Sequence, residues 1–269
     1  MPPTATLRTQ IESFLESRFP AALSPAPRAI RETAPTGIDA IDAQLSGGLP
    51  IGAISEVTGP ASSGRTSLAL AFLARRTAES RVCAWVDVDD ALDPASAAAS
   101  GIALPQLLWI RCQQRQSRPP EKAPTPHRRN PLWTRLDQAL RATDLLLQAG
   151  GFAAIVLDLG DTAREHASRI PLATWFRYRQ AADRTRASLV VLGQAAYAQS
   201  SAAAVLECAP MQAHAAGGTV LRGFTAQMRR GRERFAPVEI GTKKPIASTW
   251  TANAPWTSAA AIKKTERRG

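Results

Sequence analysis

The amino-acid sequence predicts an α/β fold: a mainly parallel central sheet flanked by helices, with a separate helix before it and a basic tail after it. Three observations carry that expectation. Apolar, β-branched runs alternate with stretches whose apolar residues recur every three or four positions, a rhythm of about 30 residues per unit that belongs to parallel sheets. A glycine-bracketed loop, Gly59 to Gly64, lies between one such strand and the helix after it. Finally, 269 residues with 45% hydrophobic content suffice for one large core and exclude wholesale disorder.

Residues 6 to 18 space Leu7, Ile11, Phe14 and Leu15 at helical intervals, and Pro20, Pro25 and Pro27 forbid continuation. Residues 1–34 are therefore read as an N-terminal helix on a proline-rich linker. The core, 35–242, opens with a helix carrying Ile38, Ile41 and Leu45, a Gly47-Gly48 turn, and the strand Ile54 to Val57 leading to Gly59. Residues 66 to 78 are helical, Val82 to Val88 form a second strand, Pro94 to Ser100 a helix, and Leu107 to Arg111 a third strand. Leu132, Leu136, Leu140 and Leu147 mark a long helix, Ala153 to Leu157 a central strand, Leu172 to Arg186 a helix, and Leu189 to Leu192 a further strand. Between them, 113–130 hold four prolines, five Lys and Arg, and His127, so a disordered basic loop is expected. After Ala195, shorter pieces at Ala203 to Glu207, Thr219 to Met228 and Val238 to Ile240, with turns at Gly217-Gly218 and Gly231, are expected to extend the sheet in antiparallel fashion. Residues 243–269 show no sustained pattern and are read as a basic flexible tail.

Composition narrows the company this chain keeps. Its formal charge of +11 favours an acidic partner such as nucleic acid. Eleven Lys and Arg against three acids fall between Arg222 and Gly269, densest at Arg229, Arg230, Arg232 and Arg234, which are the candidate DNA-binding residues. Cys83, Cys112 and Cys208 are odd in number and far apart, which excludes a disulfide framework and a zinc knuckle and suits a reducing compartment. The first 25 residues carry no apolar leader, and no window of about 18 residues is uninterruptedly apolar, so a cytoplasmic, nucleoid-associated protein away from membranes is expected. His127, His166 and His214 show no ligand or triad spacing.

The stretch Gly59-Pro60-Ala61-Ser62-Ser63-Gly64-Arg65-Thr66 has the spacing of the phosphate loop G-x-x-x-x-G-K-[ST], between a strand and a helix as required. Its glycines permit a tight wrap, and successive N–H groups with the helix N-terminus form an anion nest. Gly59, Ser62, Ser63, Gly64, Arg65, Thr66 and Ser67 are thus the candidate nucleotide-binding residues, with Thr66 as a magnesium ligand. Arg65 stands where the motif has lysine. A planar fork is not equivalent to a compact ammonium, so phosphate attraction is expected to survive and efficient turnover is not.

Together with Thr36-Gly37-Ile38-Asp39 and Gly47-Gly48-Leu49-Pro50-Ile51-Gly52, this loop resembles the core of the RecA recombinases in order and spacing. The run from Cys83 to Pro94 resembles the strand and loop that carry the family's catalytic glutamate, with Asp89 at that position. Ile155-Val156-Leu157-Asp158 is similar to the Walker B strand, and Leu189 to Gln194 to the strand whose terminal glutamine senses the γ-phosphate. The resemblance covers roughly residues 36 to 240. It implies ATP and magnesium, held in part by Asp158, with Asp89 and Gln194 as catalytic positions. Three departures weaken that chemistry: Arg65 for lysine, Asp89 for glutamate, and Ser96 where the family stacks an aromatic on adenine. The stretch Asp161 to Ile170 is shorter than the family's first DNA loop, and Ala195 to Ala204 does not reproduce the second. Within the superfamily, Leu146 to Phe152 leading into Leu157-Asp158-Leu159-Gly160, and Arg169 to Arg177, resemble ImuA proteins. That resemblance implies an accessory of SOS-induced repair and error-prone translesion synthesis, partnered by an ImuB-like adaptor, a C-family polymerase and a RecA filament, with DNA contact and self-association.

Two residues keep two readings each. Asp158 is either a buried carboxylate satisfied by backbone donors or a residual magnesium ligand. Gln194 is either the phosphate sensor or a polar residue closing a strand. The alternative for the whole chain is an active DNA-dependent ATPase in which Arg65 and Asp89 suffice. Trp175, Phe176 and Tyr178 cannot all enter one core from a helix, so an exposed interface anchor is expected among them.

Overall fold

A computed structural model describes Phe14 and residues 32–112, 131–216, 220–233 and 247–253. The chain divides into two compact units, Met1–Arg31 with Phe235–Thr242, and Glu32–Arg234 with Lys243–Gly269. Apart from Phe14, the first unit lies outside the described residues, as do the expected basic loop 113–130, the strand at Val238 to Ile240, and Arg234.

The second unit runs β1 (Thr33–Ala34), α1 (Asp39–Gln44), β2 (Leu49–Pro50), β3 (Ile54–Thr58), α2 (Arg65–Ala78), β4 (Cys83–Asp87), α3 (Pro94–Ala99) and β5 (Leu107–Arg111). It continues with α4 (Pro131–Ala149), β6 (Ala154–Asp158), α5 (Arg164–Ala167), α6 (Leu172–Thr185), β7 (Ser188–Gly193), β8 (Ala202–Cys208), β9 (Gln212–Ala216), β10 (Val220–Glu233) and β11 (Ala247–Asn253). The large sheet is ordered β11-β10-β8-β3-β7-β6-β4-β5. From β8 to β5 neighbouring strands are parallel, whereas β10 runs antiparallel to β8, β9 and β11. The expected α/β fold is the observed one. Of the expected antiparallel pieces, Thr219 to Met228 falls mostly in the antiparallel β10, whereas Ala203 to Glu207 lies in β8, which continues the parallel sheet beside β3. Gly231 is a bulge within β10 rather than a turn.

Burial explains the sequence pattern. Every residue of β3, β4 and β7 is buried, because helices cover both faces of the sheet and leave no solvated side for polar residues. One core layer lies beneath α4 and α6, with Val86, Ile155, Leu189, Trp175 and Tyr178; the other lies beneath α1 to α3, with Trp85, Val156, Leu192, Leu68 and Phe72. Trp175 and Tyr178 meet edge to face, their ring centres 5.9 Å apart, and the Tyr178 hydroxyl donates to the Leu140 carbonyl of α4. Phe176 is the one of the three aromatics left outside. Among the described residues no helix is long and apolar enough to cross a membrane.

One stretch read as tail is strand: β11 pairs along its whole length with β10, from Ala247 opposite Arg229 to Asn253 opposite Gly223. Its residues, Ala-Ser-Thr-Trp-Thr-Ala-Asn, hold only one large apolar side chain, so no hydrophobic period betrays it. Pairing supplies the order instead, and Trp250 packs against the core layer beneath α1 to α3. Near the entrance to the fold, Gly48 permits the approach of β2 to β1: its φ is +122°, and a Cβ there would lie 2.1 Å from the Ala34 carbonyl oxygen.

Candidate functional site

The phosphate-type loop springs from the end of β3, the middle of the sheet, and winds into α2. Two residues in it, Ser62 (φ +57°) and Gly64 (φ +84°), take the left-handed conformation, which turns successive N–H groups toward one side. Among the described residues the N–H groups of Ala61 to Gly64 donate to no protein acceptor, and α2 begins without a side-chain cap. The nest read in the sequence is therefore present as geometry. Its back is fixed by Gly59 N–H donating to Gly193 O at 3.1 Å and by Met211 N–H donating to Ser62 O at 3.0 Å. Ser63 is buried, its hydroxyl without a partner, while Thr66 and Ser67 are exposed on the first turn.

Arg65 does not reach out of this nest. Only 7% exposed, it folds back so that Nη1 donates to Gly59 O and Nη2 to Gly160 O at 2.8 Å, with Asp161 Oδ1 3.8 Å away. The guanidinium thus ties the start of the loop to the turn after β6. Two main-chain carbonyls, rather than phosphate oxygens, take its donors, each from a different terminal nitrogen of the planar fork. Gly160 O also receives Gln194 Nε2 at 3.4 Å, so Arg65, Gln194 and the end of β6 converge on one peptide group.

The carboxylates nearby are committed in the same way. Asp158 Oδ1 accepts Gly160 N–H at 2.9 Å; burial pushes its carboxyl up to about 6 against the lowering effect of that hydrogen bond, with Asp87 adding to the rise. Asp89 lies 3.6 Å from Arg135 Nη1 of α4 and accepts from the Thr162 hydroxyl at 3.4 Å. Burial raises its carboxyl too, opposed by Arg135. Asp87, not singled out from the sequence, is buried and accepts from Ala91 N–H, Leu92 N–H and Trp109 Nε1, so it shapes the loop that carries Asp89. Ser96 is exposed, and its hydroxyl donates to Asp93, the residue that caps α3.

Arg65, Thr66, Trp85, Asp89, Asp158 and Asp161 surround a cleft of about 80 Å³. The lining of this cleft does not include Gly59 to Gly64, so its volume is that of the carboxylate side of the site alone. As the side chains stand, two groups that a magnesium–triphosphate would need are engaged elsewhere: the cation that would meet its terminal phosphate is spent on carbonyls, and the carboxylate that would orient water is paired with Arg135. The candidate site residues do come together, but around each other.

The arginines proposed for DNA are also partly engaged. Arg229 on β10 pairs with Glu207 of β8, its Nε at 3.0 Å, and Arg230 donates to Gln44 O at 3.1 Å. Arg232 lies in β10 opposite Val205, across a bulge at Gly231. All three cysteines are buried and free. A further residue missed by sequence reading is Glu56, a buried acid in β3 whose Oε1 accepts Tyr197 N–H at 2.6 Å and Ala198 N–H at 2.9 Å, pinning the segment after β7. A charged residue in the strand Ile54 to Val57, between Ser55 and Val57, was the available signal.

Comparison with known proteins agrees with this geometry. Residues 22–116 match the RecA N-terminal domain. Protein RecA of Brucella anthropi is 37% identical over 128 residues, which is 47% of this chain and 30% of that protein. Protein RecA of Allorhizobium ampelinum is 38% identical over the same shares. The chain thus aligns with under a third of the length of these curated relatives. The crystal structure of the RadB recombinase superposes with a TM-score of 0.54 at 16% identity, covering 81% of this chain and 94% of that one, a likeness of fold. Residues 22–116 are thus similar in sequence to the RecA N-terminal domain, and the fold around the central sheet is similar to that of the RadB recombinase.

Proposed function

We propose that this protein is an accessory factor of SOS-induced DNA repair and error-prone translesion synthesis, of the ImuA type, which works by protein and DNA contacts around a degenerate ATP site. The observation that supports this reading most is the placement of Arg65, whose guanidinium is hydrogen-bonded to Gly59 O and Gly160 O inside the loop. A motor needs that cation for the phosphate whose bond breaks. Here the same position holds the scaffold together, and Asp89 is turned to Arg135. What such a scaffold retains is surface. Its partners in this reading are an ImuB-like adaptor, a C-family polymerase and a RecA filament, with DNA contact from the arginine-rich C-terminal part.

The rival reading, a DNA-dependent ATPase, draws on the loop's unoccupied N–H groups. ATP hydrolysis by the full chain, with and without single-stranded DNA, separates the two. Turnover below about 10⁻³ s⁻¹, unaffected by Asp158→Asn, supports the accessory reading; turnover of about 0.1 s⁻¹ or more that Asp158→Asn abolishes overturns it.

A further inference from the structure

We propose that the N-terminal half of α6 is a docking face for an acidic, amphipathic segment of a partner protein, anchored on Leu172 and Phe176. The proposal deepens the accessory reading by giving its partner a chemistry, and it rests on that reading for the idea that a partner exists. Leu172 and Phe176 stand one helical turn apart and are 56% and 52% exposed, although Trp175 and Tyr178 between and beside them are fully buried. The buried stripe of α6 is already supplied by Trp175, Tyr178, Ala181 and Ala182, so among the described residues the exposed pair is not part of the core.

The surroundings specify the occupant. Between 164 and 186 there are six arginines against Glu165 and Asp183. Two of the six are neutralised, Arg177 by Asp144 at 3.0 Å and Arg186 by Glu32 at 2.8 Å. Arg164, Arg169 and Arg184 are exposed and Arg179 is half-buried; none of these four makes an ion pair among the described residues. Arg169 precedes Leu172 by three residues and Arg179 follows Phe176 by three, so cations flank the apolar pair at both ends. Asp183, a turn beyond Arg179, is the acid on this side of the helix. α6 also starts at Pro171 with no side-chain cap and no acid in its first turn, which leaves its positive end uncompensated. An apolar pair rimmed by arginines fits a segment that presents leucine or aromatic anchors among aspartates and glutamates. Single-stranded nucleic acid is served less well, because it needs successive stacking platforms and this face offers one aromatic ring.

The test pans a random peptide display library on the full chain, with counter-selection on a Leu172→Ser, Phe176→Ser variant. Both side chains are already exposed, so thermal unfolding of the variant is expected to match the parent; if it does not, Phe176→Ala alone replaces it. Expected are clones that prefer the parent by about tenfold or more and carry acids around two apolar residues at three- or four-residue spacing. Their binding is expected to weaken about tenfold in Arg169→Glu, Arg179→Glu and on raising NaCl from about 50 to about 300 mM. The proposal is overturned if no clone discriminates parent from variant, or if the discriminating clones lack acids. It is also overturned if the variants instead lose a fluorescent oligothymidine of about 20 nucleotides, which would mark a nucleic-acid face. None of these outcomes touches the ATPase measurement that decides the accessory reading.

Discussion

Residue 65 shows how one side chain redirects a site. A lysine here would present a compact point charge to the loop's mouth; the guanidinium's planar fork fixes two separate nitrogens on Gly59 O and Gly160 O at once. Arg65→Ala leaves both buried carbonyls without that partner, and a loss of about 2 kcal/mol of unfolding free energy is expected from urea titration. Asp158 provides a second check. Burial raises its folded-state carboxyl to about 6, above the unfolded value, so the folded chain binds more protons between about pH 4 and pH 6 and its stability falls as pH rises through that window. Asp158→Asn keeps an acceptor for Gly160 N–H and removes the slope. At pH 7.5 the variant is expected to be more stable by about 1–3 kcal/mol, measured by thermal unfolding across pH. The sequence reveals that residue 65 is no lysine, but not that its acceptor at Gly160 lies 95 positions away, because no local pattern encodes a contact between two strand ends.

At the scale of elements, the connections after β6 and β7 are held where recombinase-type loops were expected to be altered. Glu56 fixes Tyr197 and Ala198 from within β3, and the Tyr197 ring packs so closely on Gly193 that a Cβ there would lie 2.8 Å from it. Glu56→Ala frees two N–H groups, and hydrogen exchange at Tyr197 and Ala198 is expected to quicken by roughly 10- to 100-fold, whereas Glu56→Gln keeps an acceptor and most of the protection. Most parallel strands were legible because they are apolar runs ending near glycine or acid, and the helices because of their spacing. β11 was not legible, since its order comes from β10 rather than from its own composition. The site was legible as a list of positions and illegible as a circuit: Arg135, Thr162, Asp161 and Met211 close it from elements whose sequence carries no motif.

For the whole molecule, the sheet brings β3, β6 and β7 side by side, so the loop, Asp158 and Gln194 are neighbours whatever chemistry they retain. Cys83, Cys112 and Cys208 are buried in this framework, their thiols pushed up to about 11, 11 and 12, so iodoacetamide at pH 8 is expected to label none of them before unfolding. The charge of +11 acts at the same scale. Affinity for single-stranded DNA is expected to fall steeply with salt, and Arg232→Ala with Arg234→Ala to flatten that slope more than Arg229→Ala, whose charge Glu207 already offsets. The most direct measurement is a crystal structure of the full chain grown with magnesium and a non-hydrolysable ATP analogue. The expected result keeps Arg65 on Gly59 O and Gly160 O with no triphosphate wrapped by residues 59–66. A triphosphate seated in that loop, with Arg65 swung onto it and a water held by Asp89, would contradict the claim that the site has become a strut.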